Sequence, residues 1–553
     1  MKNTVCIIFC YLFVLLTSVA VLAQHNPDHK SPKLVVGIVV DQMRPEFMYR
    51  FADKYTEGGF KRLLKQGFEF REAHYDYIPT YTGPGHAAVY TGTTPKYNGI
   101  IANNWYDRQL DRSVYVVEDT TVRTVGSSSD AGLMSPKNLL SSTVSDELRL
   151  FNNAQSKVIG VALKDRGSIL PAGHFPTGAY WYDSQTGHWI TSTYYADTLP
   201  QWVQDFNARK LPDQYLSKPW ETLFPLEQYT VGLPNGGAYR LPYRGASAAD
   251  NKFPHNLPAL KEQNGYGLLS TTPFGNSFTL DFAIAALEAE QLGRGHHTDM
   301  LLVSFSSPDY IGHQFGINSI ELQDNYVRLD RDLARLFDYL DKQVGMEEVI
   351  VFLTSDHGAA QTPAQMRDLG IAAGVFNGRA MKKQLDEHLK KTFGEGRWVL
   401  SYMNQQLWFN KVAMAKANIS HETMVAVCSA FLKDFEGVQT VYDLHQVDRF
   451  SPEDPTIARL ARGVSPLRSG DLMMMLQPNW FDAPYAAEGG TTHGSGYSYD
   501  THIPLVWMGW QIKPGTTAQR VAVSDIAATL SDLLRISRPN ATLGQPRTDL
   551  MVK

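Results

Sequence analysis

Short apolar, β-branched runs that end in an acid or a histidine constrain this chain most. "KLVVGIVVDQM" leads into Asp41, "DMLLVSFSSPD" into Asp309, and "EEVIVFLTSDHG" into Asp356 and His357. "KVIGVAL", "DLMMMLQP" and "HIPLVWMGW" are further strand candidates. Between them, "GGFKRLLKQG", "SFTLDFAIAALEAEQLG", "NYVRLDRDLARLFDYLDKQVG" and, capped by Ser524, "SDIAATLSDLLRI" carry a helical period. Strands apolar on both faces, alternating with amphipathic helices, predict an α/β fold: a mostly parallel sheet flanked by helices. Two stretches, about 167–276 and 362–470, lose this rhythm. The first, rich in aromatics, Pro and Gly, is expected to be an insertion beside the site, and the second a cap.

In open parallel sheets, ligands bind beyond the carboxyl ends of the strands. Asp41, Asp309, Asp356 and His357 are therefore expected at one edge. His313 follows Asp309 in "DYIGH", a spacing that lets a turn or short helix aim both groups at one ion. His493 lies in the Gly-rich "GGTTHGSG". Singly, each residue could cap a helix or satisfy a loop. Together, an Asp/His mixture suits zinc better than magnesium or calcium, which prefer oxygen shells.

The rest of the sequence sets the compartment. Residues 1–23, a Lys followed by an apolar run with Val21 and Ala23 at the cleavage-site positions, read as a secretory signal with no stop-transfer charges behind it. No stable membrane anchor is expected after its removal, and an exported protein, periplasmic or released, is. Cys6 and Cys10 leave with the signal, so Cys428 is left without an intramolecular disulfide partner and reads as a small buried hydrophobe. A net charge of −5 and the lack of any Lys/Arg run argue against a nucleic-acid partner. At 553 residues, 43% hydrophobic, the chain can bury a large core.

"YTGPGH", Tyr81 to His86, taken alone is an ordinary turn. Pro84, however, suits the first position of a helix through "GHAAVY", which would set the Thr82 hydroxyl at a helix N-terminus, where anions are favoured. The stretches "VVDQMR", "YIPTYTGPGHAAVYTGTTPKYNGIIANNW", "LKDRGSILPAGH", "SSPDYIGHQFG", "TSDHG" and "GGTTHGSGY" resemble, in the same order, the alkaline phosphatase superfamily, and within it the secreted PafA-type enzymes. The resemblance implies a phosphate monoester hydrolase with two zinc ions. One would be held by Asp309, His313 and His493, the other by Asp41, Asp356 and His357, with Thr82 also coordinating. It further implies that Thr82 is the nucleophile and forms a phosphothreonine, that Asn103 hydrogen-bonds a phosphoryl oxygen, and that Lys164 and Arg166 hold the others. Thr80 matches no nucleophile.

Two zinc ions, three aspartates and one alkoxide cancel formally. Lys164 and Arg166 would raise the site to about two positive charges, matching a monoester dianion rather than a diester. A nucleotide pyrophosphatase or phosphodiesterase would share the zinc ligands and the threonine but lack such a cation pair. A sulfatase would need Cys or Ser in place of Thr82, and a phosphoglycerate mutase of this superfamily usually has Ser. An exported protein that only binds phosphate compounds would have no use for the nucleophile.

Overall fold

The computed structural model describes residues 31–449, 453–484 and 489–552; the signal expected over 1–23 lies outside them. Among these residues an eleven-stranded sheet forms the centre. Its strands are β1 (Leu34–Val40), β2 (Phe68–His74), β3 (Thr124–Val125), β4 (Val158–Ala162), β5 (Gly178–Asp183), β6 (His188–Ser192), β7 (Asp299–Phe305) and β8 (Val349–Thr354). After a separate four-stranded sheet, β9 (Val399–Met403), β10 (Gln406–Phe409), β11 (Val438–Asp443) and β12 (Leu472–Leu476), the chain returns to it as β13 (His502–Ile503), β14 (Leu505–Gly509) and β15 (Gly515–Ala522).

The middle of the main sheet runs β8-β1-β7-β4-β5, all parallel. Every residue of β1 is buried, as a strand covered on both faces requires. Gly37 leaves the space between strands to larger neighbours: a Cβ there would lie 2.7 Å from the Phe352 ring and from Tyr90 Oη. The register aligns Val39 with Ser304 of β7 and Thr354 of β8, so the three strands end level and release their next residues at one edge.

Among the helices are α1 (Phe60–Gln66), α2 (Thr82–Thr91), α3 (Asp165–Ala172), α4 (Phe274–Ala289), α5 (Ser307–Phe315), α6 (Ile320–Gln343), α7 (Gly378–Phe393) and α8 (His421–Lys433), these last two packed on the four-stranded sheet, and α9 (Asp525–Leu534). Leu287, Leu301, Phe305, Leu333 and Leu353 share one core beneath α4 and α6, and Val35, Tyr90, Phe352, Trp507 and Leu530 another beneath α2 and α9.

Several expectations are corrected. "DLMMMLQP" forms β12 of the four-stranded sheet, antiparallel to β10 and β11, rather than a main-sheet strand. Its unbroken apolar run has a different cause: Leu472, Met474 and Leu476 face one core with α7 and α8, while Met473 and Met475 face a second. "HIPLVWMGW" does join the main sheet, but β14 runs antiparallel to β8 and β2. Strands β5 and β6, within 167–276, also belong to the main sheet. Ser524 stands at the N-cap position of α9 but, with helix-like backbone angles, makes no side-chain cap; the Asp525 carboxylate accepts from Ala522 N at 3.3 Å and Gln545 N at 2.8 Å. Cys428 is buried in the hydrophobic core of the four-stranded sheet, as expected.

Candidate active site

Asp41 is the first residue beyond β1, and its backbone N–H donates to Phe305 O at the end of β7. Asp356 and His357 follow β8. Asp309 is placed differently from the sequence reading: β7 stops at Phe305, and Asp309 lies in the first turn of α5 with His313 one turn further on. Pro308 in that first turn starts the helix early, since its missing N–H costs nothing there. Likewise α2 begins at Thr82, ahead of Pro84, so Thr82 is its first residue and Tyr81 its N-cap.

The six expected ligands separate into two groups, each able to hold one ion: Asp41, Asp356 and His357, and Asp309, His313 and His493. His357 Nε2 lies 3.5 Å from Asp41 Oδ1 and from Asp356 Oδ2, and 3.4 Å from Thr82 Oγ1. His313 Nε2 lies 3.1 Å and His493 Nε2 3.6 Å from Asp309 Oδ1. The His357 and His493 rings stack at 3.4 Å between centroids, which joins the two groups into one site.

All three histidines are oriented alike. Nδ1–H of His357 donates to Gly358 O at 3.0 Å, that of His313 to Thr491 O at 2.7 Å, and that of His493 to Thr80 O at 2.8 Å. Each Nε2 lone pair is thereby turned inward, the arrangement that prepares a histidine to ligate metal. Thr80, unassigned in the sequence, thus positions His493 through its carbonyl, and its hydroxyl donates to Ser495 O.

The electrostatics call for a cation. Asp41 Oδ1 and Asp356 Oδ2 are buried without a hydrogen-bond partner. Burial, reinforced by the Asp41 carboxylate, pushes Asp356 well above the usual carboxyl range. Burial would also raise Asp309, but His313 and Lys164 hold it well below that range. Burial pulls His357 down to about 4, so it is neutral and free to ligate. A divalent cation in each group would satisfy the orphaned oxygens and relieve the like-charge pair, and the mixed imidazole and carboxylate donors fit zinc.

The remaining expected residues converge here too. Asn103 Oδ1 accepts from Gly83 N at 2.8 Å, at the start of α2. Lys164, the N-cap of α3, is buried, with Nζ 2.7 Å from Asp41 Oδ2 and 2.6 Å from Asp309 Oδ2. Arg166 donates to Tyr115 Oη at 2.9 Å, and Tyr115 in turn donates to Asp165 Oδ1 at 2.5 Å.

Other residues carry the site without having been singled out in the sequence. Gln42 donates from Nε2 to Asp309 Oδ1 at 2.6 Å and from its backbone N–H to Asp356 Oδ1 at 3.2 Å, touching a ligand of each group. His86 donates from Nδ1 to Thr82 O at 2.9 Å and accepts from Ser304 Oγ at 2.8 Å; burial lowers it to about 4, so it stays neutral. The signal for Gln42 was its place directly after a strand-end acid.

The family model for type I phosphodiesterase / nucleotide pyrophosphatase matches residues 35–498. Alkaline phosphatase PafA of Elizabethkingia meningoseptica is 43% identical over 98% of this chain and 98% of its own. A Myroides odoratus protein named calcium-transporting ATPase is 44% identical over 99% of this chain and 98% of its own. A crystal structure of wild-type PafA superposes with a TM-score of 0.91 at 42% identity, covering 95% of this chain and 100% of that one. With the two Asp/His groups and Thr82 gathered in one site, these likenesses make the chain a member of the type I phosphodiesterase / nucleotide pyrophosphatase family and, within it, of the PafA-type alkaline phosphatases.

Proposed function

We propose that this alkaline phosphatase cleaves phosphate monoesters by direct attack of Thr82, with one zinc ion held by Asp41, Asp356 and His357 and another by Asp309, His313 and His493. The observation that carries the reading is the position of Thr82 Oγ1, 3.4 Å from His357 Nε2 at the first residue of a helix. Zinc bound there would supply Lewis-acid character and lower the hydroxyl pKa.

The Thr82 oxygen forms a bond to phosphorus as the ester P–O bond breaks and the alcohol leaves, taking up a proton. Water then attacks the phosphothreonine, releasing phosphate and restoring the hydroxyl. The α2 N-terminus favours the anion throughout. Asn103, whose Oδ1 is occupied by Gly83 N–H, presents its Nδ2 to a phosphoryl oxygen. Lys164 neutralises charge between the two groups, and Arg166, steadied by Tyr115, offers a second cation. That cation pair favours a dianionic monoester over a diester. The sequence signal supports export to the periplasm or the medium.

Transport, the activity named for the Myroides odoratus relative, is supported by no specific observation; among the described residues no helix is long and apolar enough to cross a membrane. Hydrolysis of an aryl phosphate monoester, a bis-aryl diester and an aryl sulfate, with and without chelator, tests the reading. Chelator-sensitive turnover with the monoester far ahead is expected. A faster diester or sulfate would overturn it.

A further inference from the structure

A chamber of about 510 Å³ opens beside His493 and Asn103, in the size range of small-molecule sites. Asn103 and His493 both line it, so a group esterified to a phosphoryl held between them would extend into it. The four-stranded sheet and the residues just after it supply much of the wall. Asn404 and Gln405, at the turn between β9 and β10, line it in left-handed conformations (φ 51° and 62°), an unusual backbone for a glutamine. Asn404 Nδ2 donates to Asn104 O at 2.7 Å, which pins this turn to the residue after Asn103.

The lining has a definite character. Tyr81, Trp480 and Tyr499 give it aromatic walls, and the side-chain amides give it paired donors and acceptors. Its acidic groups are the carboxyls of Asp482 and Asp500, both raised by burial, Asp500 to about 7. Asp482 accepts from Tyr402 Oη at 2.5 Å and Gly378 N at 3.0 Å, and Asp500 from Ser495 Oγ at 2.6 Å and Ser495 N at 2.8 Å. Among the described lining residues there is no Lys or Arg. The phosphoryl side is thus cationic, while the leaving-group side has nothing to balance a second anion.

We infer that this chamber is the leaving-group site and selects uncharged, hydrogen-bonding ring alcohols, nucleosides or sugars, over alcohols that carry further phosphate. The inference rests on the monoesterase reading above. Ring faces lie against the aromatic walls, the Asn404 and Gln405 amides meet polar edges, and an additional phosphate meets a wall whose acidic groups are carboxyls, with no cation among its described residues.

The test compares kcat/KM of the zinc-loaded enzyme for AMP, glucose 6-phosphate, glycerol 2-phosphate and adenosine 3′,5′-bisphosphate, all esters of alkyl alcohols. AMP, glucose 6-phosphate or both should exceed glycerol 2-phosphate by about tenfold or more, the two arms separating nucleoside from sugar preference. The bisphosphate should fall about tenfold or more below AMP. Gln405→Gly, which suits a left-handed position, should shrink the AMP to glycerol 2-phosphate ratio, and Gln405→Lys should shrink the bisphosphate penalty. Equal rates for all four substrates, or ratios unmoved in both variants, would overturn the inference while leaving the monoesterase reading intact. Failure to cleave even glycerol 2-phosphate would instead overturn that reading, and this inference with it.

Discussion

Lys164 Nζ lies 2.6 Å from Asp309 Oδ2 while also reaching Asp41 Oδ2 at 2.7 Å, so one buried ammonium touches both groups of acids. Burial alone would lower its pKa, but the two carboxylates raise it, and Lys164 stays charged across the working range. In the proposed reading its charge adds to that of Arg166 in holding the phosphoryl oxygens.

Replacing both Lys164 and Arg166 by Ala should therefore cost monoesters far more than diesters. Each lost charged contact in a water-poor site is worth about 10²–10³-fold in rate. Steady-state kinetics on matched monoester and diester pairs, at verified metal content, should show monoesterase kcat/KM falling by several orders of magnitude and diesterase much less. An equal fall in both would mean that the cations serve folding or metal binding.

Gln42 should tune metal retention. Its amide holds Asp309 Oδ1 and its backbone N–H holds Asp356 Oδ1, one ligand from each group. Gln42→Ala removes only the first contact, and partners of this kind typically contribute 10–100-fold to affinity. Zinc titration against a chelator should show one of two sites weakened by about that factor. Two sites weakened equally, or neither, would contradict the assignment.

The parallel core was legible in the sequence because its strands are apolar on both faces, and the ligands because Asp41, Asp356 and His357 follow strands directly. The position of "DLMMMLQP" was not, since a strand buried between two smaller cores has the same composition as one in the centre of a parallel sheet. The motif resemblance assigned Lys164 and Arg166, and the structure adds the spanning contact of Lys164 and the Tyr115 support of Arg166. Thr80, Thr491 and Gly358 orient histidines through backbone carbonyls, which every residue type offers, so no side-chain pattern marks them.

A structural pair away from the site gives a pH test. His174 Nδ1 lies 3.1 Å from Asp146 Oδ2, and this hydrogen bond raises the His174 pKa even though burial opposes it. A raised histidine contributes stability that is fully present below its unfolded value of about 6.5 and is lost as pH rises through the folded value. The Tm gap between the protein and His174→Gln should thus be wider at pH 5.5 than at pH 9. A gap that is flat, or that widens with pH, would contradict the ion pair.

Metal content should be two zinc ions per chain at full activity, because the acids and histidines form two incomplete shells rather than one. Asp309→Asn and Asp41→Asn should each lower the count toward one in elemental analysis, with activity falling in both. Full activity with one metal or none would remove the two-ion account.

Acid-quenching the enzyme during monoester turnover and mapping the phosphorylated peptide by mass spectrometry tests the nucleophile most directly, since Thr82 Oγ1 is placed at the helix start beside His357. Phosphate should be found on Thr82, and Thr82→Ala should lose both the label and nearly all turnover while keeping its metal and its fold. Phosphate on another residue, or substantial turnover surviving in Thr82→Ala, would contradict the account.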